Sequence, residues 1–279
     1  MIDYATIMVS SDNSYRESVK KLADFLDELQ ASGRYTFTTA DVRSAVEKTD
    51  VALENALRRL KKRGRIIVPR RGFYVIVPLE YLSAGAPPPS WYIDDLMHFL
   101  GQPYYVGLLS AASIYGASHQ QPMIFQIMTD KSSRKTAAGR TRVEFYKSSL
   151  IKEAAITTVQ TETGTMKVSS PEVTALDLMR FIHACGGWSN VATVLAELAE
   201  KLSPDELSHV ADNRKTPEVQ RLGFLLDLAE QPRLADSLLR VLTTRRFRPV
   251  MLAPDAPRGE KSTVHPWRVI PNEVVELDL

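Results

Sequence analysis

The chain has 279 residues, of which 44% are hydrophobic and 24% charged, and its formal net charge is +2. That composition is the one expected of a soluble globular protein, the length favours two domains over one, and the small net charge excludes a polycation. One cysteine, Cys185, excludes an internal disulfide and a cysteine-type zinc cluster, and it reads as a packed core thiol.

Residues 1–13 carry little pattern. Ser14 is suited to cap a helix in which Val19, Leu22, Ala23, Phe25, Leu26 and Leu29 recur at helical spacing, and Gly33 ends it. Phe37 lies in a short extended piece. Thr38 or Thr39 caps a second helix from Ala40 to about Glu47, with Val42, Ala45 and Val46 facing inward. Thr49 caps a third, from about Asp50 to Arg63, whose expected buried side is Val51, Leu53, Ala56, Leu57 and Leu60, and Gly64 stops it. Ile66–Val68 and Phe73–Val77 read as strands, joined by the turn Pro69-Arg70-Arg71-Gly72. Helix, short strand, two helices and a hairpin, in that order, define a winged helix-turn-helix domain.

Ser83-Ala84-Gly85-Ala86-Pro87-Pro88-Pro89-Ser90 reads as an extended linker. The expected organisation is therefore a DNA-binding domain over residues 1–82, a linker over 83–90 and a larger mixed α/β domain over 91–279, an α+β fold class. Past the linker the pattern predicts helices over Ile93–Leu100 and Tyr105–Tyr115 and strands over Met123–Met128 and Val143–Lys147. A hairpin follows around Thr163-Gly164, then a helix opened by Pro171, with further helices over 188–201, 204–212, 216–230 and 234–242. The tail over 267–277 has β character.

Between Ala56 and Ile76 the chain carries eight basic residues (Arg58, Arg59, Lys61, Lys62, Arg63, Arg65, Arg70, Arg71) and no acidic one. Apolar residues hold the structural positions between them, so the charge belongs to a folded surface. Such a surface suits a polyanion, and double-stranded DNA is the expected partner. Asn55, Arg58, Arg59 and Lys62 fall on or near the outer side of the third helix. An asparagine amide can read adenine and a guanidinium fork can read guanine. Arg70 and Arg71 at the hairpin tip suit phosphate or minor-groove contacts, Arg65 is counted with the DNA-binding set, and Lys61 and Arg63 add backbone attraction.

Other residues admit a catalytic reading. His119 sits among polar neighbours after a helix, and no second histidine or cysteine lies at metal-ligand spacing. Asp130 follows a strand pattern, with Glu144 and Lys147 further on. The spacing Glu144-Phe145-Tyr146-Lys147 does not match a nuclease Glu-x-Lys pair, yet a nucleic-acid-processing enzyme with a catalytic C-terminal domain stands as the alternative function. The basic stretch from Lys131 to Arg142 lacks P-loop spacing. It reads equally as a loop, a second anion contact or a patch that meets an acidic protein. Glu172 and Asp177 read as helix N-terminal charge and capping. No cofactor fingerprint and no metal site is found. Met1–Tyr4 opens no signal peptide, and no apolar run approaches the roughly 20 residues of a membrane span, so a cytoplasmic location without a membrane partner is expected.

Tyr104–Gln120, with its Tyr115-Gly116-Ala117-Ser118-His119 end, and Phe125–Asp130 resemble the AbiEi family of antitoxins. Ser169–Arg180, beginning Ser169-Ser170-Pro171-Glu172, and Gly186–Leu198, beginning Gly186-Gly187-Trp188-Ser189, are similar to it as well. The resemblance runs from the winged helix to about residue 230. It implies a two-gene phage-defence system of the type IV toxin–antitoxin kind. In that scheme the N-terminal winged helix binds inverted repeats in its own promoter and represses it. The C-terminal domain counters a nucleotidyltransferase toxin, a cognate partner not always held in a stable complex. The resemblance implies no catalytic residue and no enzymatic activity in the antitoxin.

Overall fold

The computed structural model describes residues 22–46, 49–117, 123–131, 136–139, 141–258 and 262–277. The expected cap at Ser14 and the loop residue His119 lie outside them. The chain divides into two compact units. One comprises Met1–Pro103, Ser133–Glu144 and Val159–Met166, the other Tyr104–Ser132, Phe145–Thr158 and Lys167–Leu279.

In the first unit, α1 (22–31) is followed by β1 (Thr36–Thr38), α2 (Thr39–Ala45) and α3 (Asp50–Lys62), then β2 (Ile66–Arg70) and β3 (Phe73–Ile76). The strands form an antiparallel sheet in the order β1-β3-β2. The pairing of β2 with β3 shifts between Ile67 and Arg70, and Pro69 lies within that irregularity, where a missing donor leaves no ladder bond unmade. Leu22, Leu26, Phe37, Val42, Leu53 and Leu57 make the core beneath the sheet. Phe37 stacks on Tyr74 with ring centroids 5.0 Å apart, which ties β1 to β3.

The proline-rich stretch expected as a linker is packed inside this unit. Ala86, Pro87 and Pro89 are buried, and Pro89 opens a 3-10 turn, Pro89–Trp91. Gly139, with φ of +60°, lies against it so closely that a Cβ would stand 2.3 Å from the Ala84 carbonyl oxygen. Three prolines stiffen a chain whether it is solvated or packed, so their presence did not reveal their burial. The first break between units falls after Pro103, beyond α4 (Ile93–Leu100). Phe99 of α4 packs on Phe73, and the Thr36 hydroxyl donates to Asp95.

Beyond Pro103, a six-stranded sheet takes the order β6-β7-β5-β4-β9-β8. Its members are β4 (Tyr104–Val106), β5 (Ile124–Thr129), β6 (Thr136–Ala138), β7 (Thr141–Lys147), β8 (Ile156–Thr161) and β9 (Gly164–Ser169). β4 pairs antiparallel with β5 and parallel with β9. The helix expected over Tyr105–Tyr115 is shorter: its first residues are the buried strand β4, and α5 (Leu108–Ile114) starts only after Gly107. The basic stretch expected as a single connection contains β6, paired to the start of β7.

The helices of the second unit are α5, α6 (Pro171–Arg180), α7 (Gly187–Leu198), α8 (Pro204–Asp212), α9 (Thr216–Leu228) and α10 (Pro232–Thr243). Leu176, Leu195, Leu222, Leu238, Trp188 and Trp267 are all buried in one apolar cluster among them. The tail expected to have β character contributes one short strand, β11 (Val269–Ile270), parallel to β10 (Val250–Met251). The Trp267 ring donates through Nε1 to Asp227, and a Cβ on Gly223 would collide with that ring at 2.0 Å, so α9 carries glycine where the indole lies across it. Among the described residues, no helix is long and apolar enough to cross a membrane.

Candidate nucleic-acid interface

The interface is assembled from the caps outward. Thr38 caps α2: the Asp41 N–H donates to the Thr38 hydroxyl at 3.2 Å, and the Thr38 N–H donates to the Asp41 carboxylate at 2.7 Å. Arg34 pairs with the same carboxylate at 3.0 Å. Burial works to raise the Asp41 pKa, but the hydrogen bonds from Thr38 and the Arg34 charge outweigh it and hold the carboxyl below its usual value. Thr49 stands at the N-cap of α3 but makes no side-chain cap bond. Arg43 reaches across from α2 and donates to Asp50 at 3.1 Å. The helix ends in a Schellman motif. The Gly64 N–H donates to the Lys61 carbonyl and the Arg65 N–H to the Leu60 carbonyl, each at 3.0 Å, with Gly64 at φ of +69°.

These ends fix the face that α3 presents. Leu53, Ala56 and Leu57 are buried, and Leu60 packs against the same cluster. The opposite stripe runs Val51, Asn55, Arg58, Lys62 at spacings of four, three and four, with Arg59 beside it. Arg58, Arg59 and Lys62 are exposed and Asn55 is half-buried. Basic residues in the last turn also complement the negative end of the helix dipole. The expectation that Val51 belongs to the buried side is overturned: it is 71% exposed. A helix covers its core with one stripe, and a residue two positions before Leu53 points away from it.

The wing is held from below. The Thr39 N–H donates to the Gly72 carbonyl at 3.0 Å, which fixes the hairpin turn against the first residue of α2. Arg71 at the tip is exposed, whereas Arg70 is half-buried and donates to the Pro69 carbonyl at 3.0 Å. Lys61 and Arg63 are exposed. Arg65 differs from its neighbours: it is half-buried at the foot of the wing, and its Nε is buried with no hydrogen-bond partner.

Of the residues considered for catalysis, His119 lies outside the described positions. Asp130 is half-buried, with a buried Oδ1 that has no hydrogen-bond partner, and the buried Glu144 lies 3.8 Å from Arg142. No group of three or more metal-ligating side chains occurs among the described residues. Cys185 is buried, and that burial pushes its thiol up to about 12, which suppresses the thiolate at neutral pH.

Glu172 and Asp177 do more than the capping expected of them. Glu172 is buried in the first turn of α6 and accepts the Ser203 N–H at 3.1 Å, just ahead of α8. Asp177 is fully buried. It pairs with the Arg214 guanidinium at 2.7 Å and accepts the Tyr105 hydroxyl at 2.8 Å. Burial, with Asp177 adding to it, raises the Tyr105 pKa well above its ordinary value. Arg214 also lines a cavity of about 120 Å³ together with Glu153, Glu206 and His209. Its acidic partner lies 37 positions earlier in the chain, so no local pattern could have paired the two.

A mixed α+β chain with an N-terminal winged helix-turn-helix and a larger C-terminal region is the class these elements define. Residues 24–77 match the family described as "Transcriptional regulator, AbiEi antitoxin", and residues 105–228 match "AbiEi antitoxin C-terminal domain". The two matches take in well over half of the chain, which belongs to the AbiEi antitoxin family. Among solved structures it is similar in fold to the RV2827C protein from Mycobacterium tuberculosis. The TM-score is 0.64 at 16% sequence identity, over 92% of this chain and 90% of that one. No curated protein matches the chain.

Proposed function

We propose that this protein is a sequence-specific DNA-binding antitoxin that represses the operon encoding it and its toxin. The winged helix of the first unit binds inverted repeats in the promoter, and the region matched by the C-terminal family domain, residues 105–228, counters a nucleotidyltransferase toxin. The protein acts without catalysis of its own. The observation that carries the DNA-binding half is the continuous stripe Asn55, Arg58, Lys62 with Arg59 on one side of α3, next in chain order to a wing tipped by Arg71. A helix of this kind fits the major groove, and a cationic wing fits the flanking backbone. The antitoxin half is supported by the family match over residues 105–228.

Footprinting of the protein's own promoter with the full chain tests the first half. Protection of two inversely related half-sites is expected, and uniform, sequence-independent protection would contradict it. Co-expression with the adjacent gene tests the second. Growth should be rescued by the full chain, and toxicity that the full chain leaves unchanged would contradict the antitoxin half.

A further inference from the structure

We propose that Val51 is a specificity-determining residue of the DNA interface and reads the C5 methyl group of a thymine in the major groove. The proposal rests on the DNA-binding reading above and adds to it a base contact made by an apolar side chain.

A single exposed valine needs no explanation on a protein surface. The position of this one supplies it. Val51 is 71% exposed on a helix whose leucines, Leu53, Leu57 and Leu60, serve the core together with Ala56. It stands in the first turn of α3, and the N-terminal residues of a recognition helix are the ones that meet base edges. It also heads the stripe that continues through Asn55, Arg58 and Lys62. Local propensity does not recommend it there, because β-branched side chains lose rotamer freedom in a helix. Its neighbour Asp50 is engaged by Arg43, and of the apolar side chains in the first turn Val51 is the exposed one, Ala52 being half-buried and Leu53 buried.

The chemistry of the partner follows. The thymine C5 methyl is the apolar feature of the major-groove edge of the four bases, and apolar side chains read it by contact. Four residues, about 6 Å along the helix axis, separate Val51 from Asn55, and bases rise by about 3.4 Å per step. The thymine therefore lies within about two base pairs of the base that Asn55 reads. An adenine–thymine step under the first two turns of α3 satisfies both residues.

The test replaces each thymine of the footprinted promoter site, one at a time, with deoxyuridine, which removes only the methyl group. Binding of the full-length wild type, Val51→Ala and Leu79→Ala is measured by anisotropy at fixed salt. Leu79 is equally exposed at 71% but lies outside α3, so it controls for loss of a surface apolar group. At one thymine in each half-site the wild type should lose about fourfold in affinity, the worth of one methyl-sized group. Leu79→Ala should show the same loss, and Val51→Ala should show none. Equal uracil penalties in the wild type and Val51→Ala would overturn the proposal while leaving the repressor reading intact. Failure of the wild type to prefer its promoter over unrelated DNA would overturn both.

Discussion

Arg58 donates to the Oδ1 of Asn55 at 3.0 Å on the exposed side of α3. The two residues stand three apart, so the bond holds both heads on one stripe and limits the rotamers each must give up on binding. It also occupies the acceptor that an asparagine amide needs to take the N6 proton of adenine. Groove entry must therefore exchange this bond for base contacts, which couples the two residues energetically.

That coupling gives the first prediction. Asn55→Ala and Arg58→Ala should each cost about 1–3 kcal/mol of promoter discrimination. The double variant should cost less than their sum by about 0.5–1.5 kcal/mol, because one loss already breaks the pair. A double-mutant cycle measured by anisotropy on promoter and unrelated DNA checks it. Strict additivity would mean that the pair is incidental.

The wing should act through charge alone. Arg71→Ala is expected to weaken binding to promoter and unrelated duplexes alike and to reduce the slope of log K against log salt by about 1. Arg70→Ala should also perturb the hairpin, because its guanidinium holds the Pro69 carbonyl. A salt titration of each variant separates the two. A change in base preference without a change in slope for Arg71→Ala would contradict its role as a phosphate contact.

In the second unit, the buried Asp177–Arg214 pair predicts a large and non-additive stability effect. Either Asp177→Ala or Arg214→Ala leaves an uncompensated buried charge and should cost about 3–5 kcal/mol. Removing both should cost less than the sum of the two single losses. Urea unfolding followed by the fluorescence of the buried Trp188 and Trp267 reads this out. Single-variant losses below about 1 kcal/mol would show that the pair is solvated.

Glu218 predicts a pH dependence of opposite sign to that of most carboxylates. Burial raises its pKa, and although Arg214, Arg180 and Lys215 work against the rise, it remains above the ordinary value. A carboxyl raised on folding favours the folded state when protonated. Its contribution is complete below the ordinary carboxyl value of about 4.5 and is lost as pH rises through the folded value. Glu218→Gln should therefore melt at a higher temperature than the wild type at pH 8, with the gap closing near pH 4. A gap that is constant with pH, or reversed, would refute the assignment.

Local signals were legible where one residue type does one job. Gly64 ended α3, Pro171 opened α6, and Thr163-Gly164 turned β8 into β9, because each answers a backbone requirement that no distant contact overrides. The winged helix could be read for the same reason: its elements are short and consecutive. Three features could not. Val51 is apolar and so reads as a core residue, although its spacing from Leu53 puts it on the other side. The prolines at 87–89 carried no sign that Gly139, some fifty positions on, would lie against their neighbours. Asp177 looked like a helix-start carboxylate until Arg214 arrived from α8's far end. In each case the deciding contact is remote in sequence or depends on which side of a helix is covered.

The central claim is that the α3 stripe and the wing form one duplex-binding surface. The most direct measurement is a promoter-binding titration at fixed salt, comparing the full-length wild type with a variant carrying Ala at Arg58, Arg59, Arg70 and Arg71, with circular dichroism confirming that both are folded. Loss of specific binding in the folded variant, beside tight binding by the wild type, is the predicted result. Unchanged affinity in the folded variant would contradict the account.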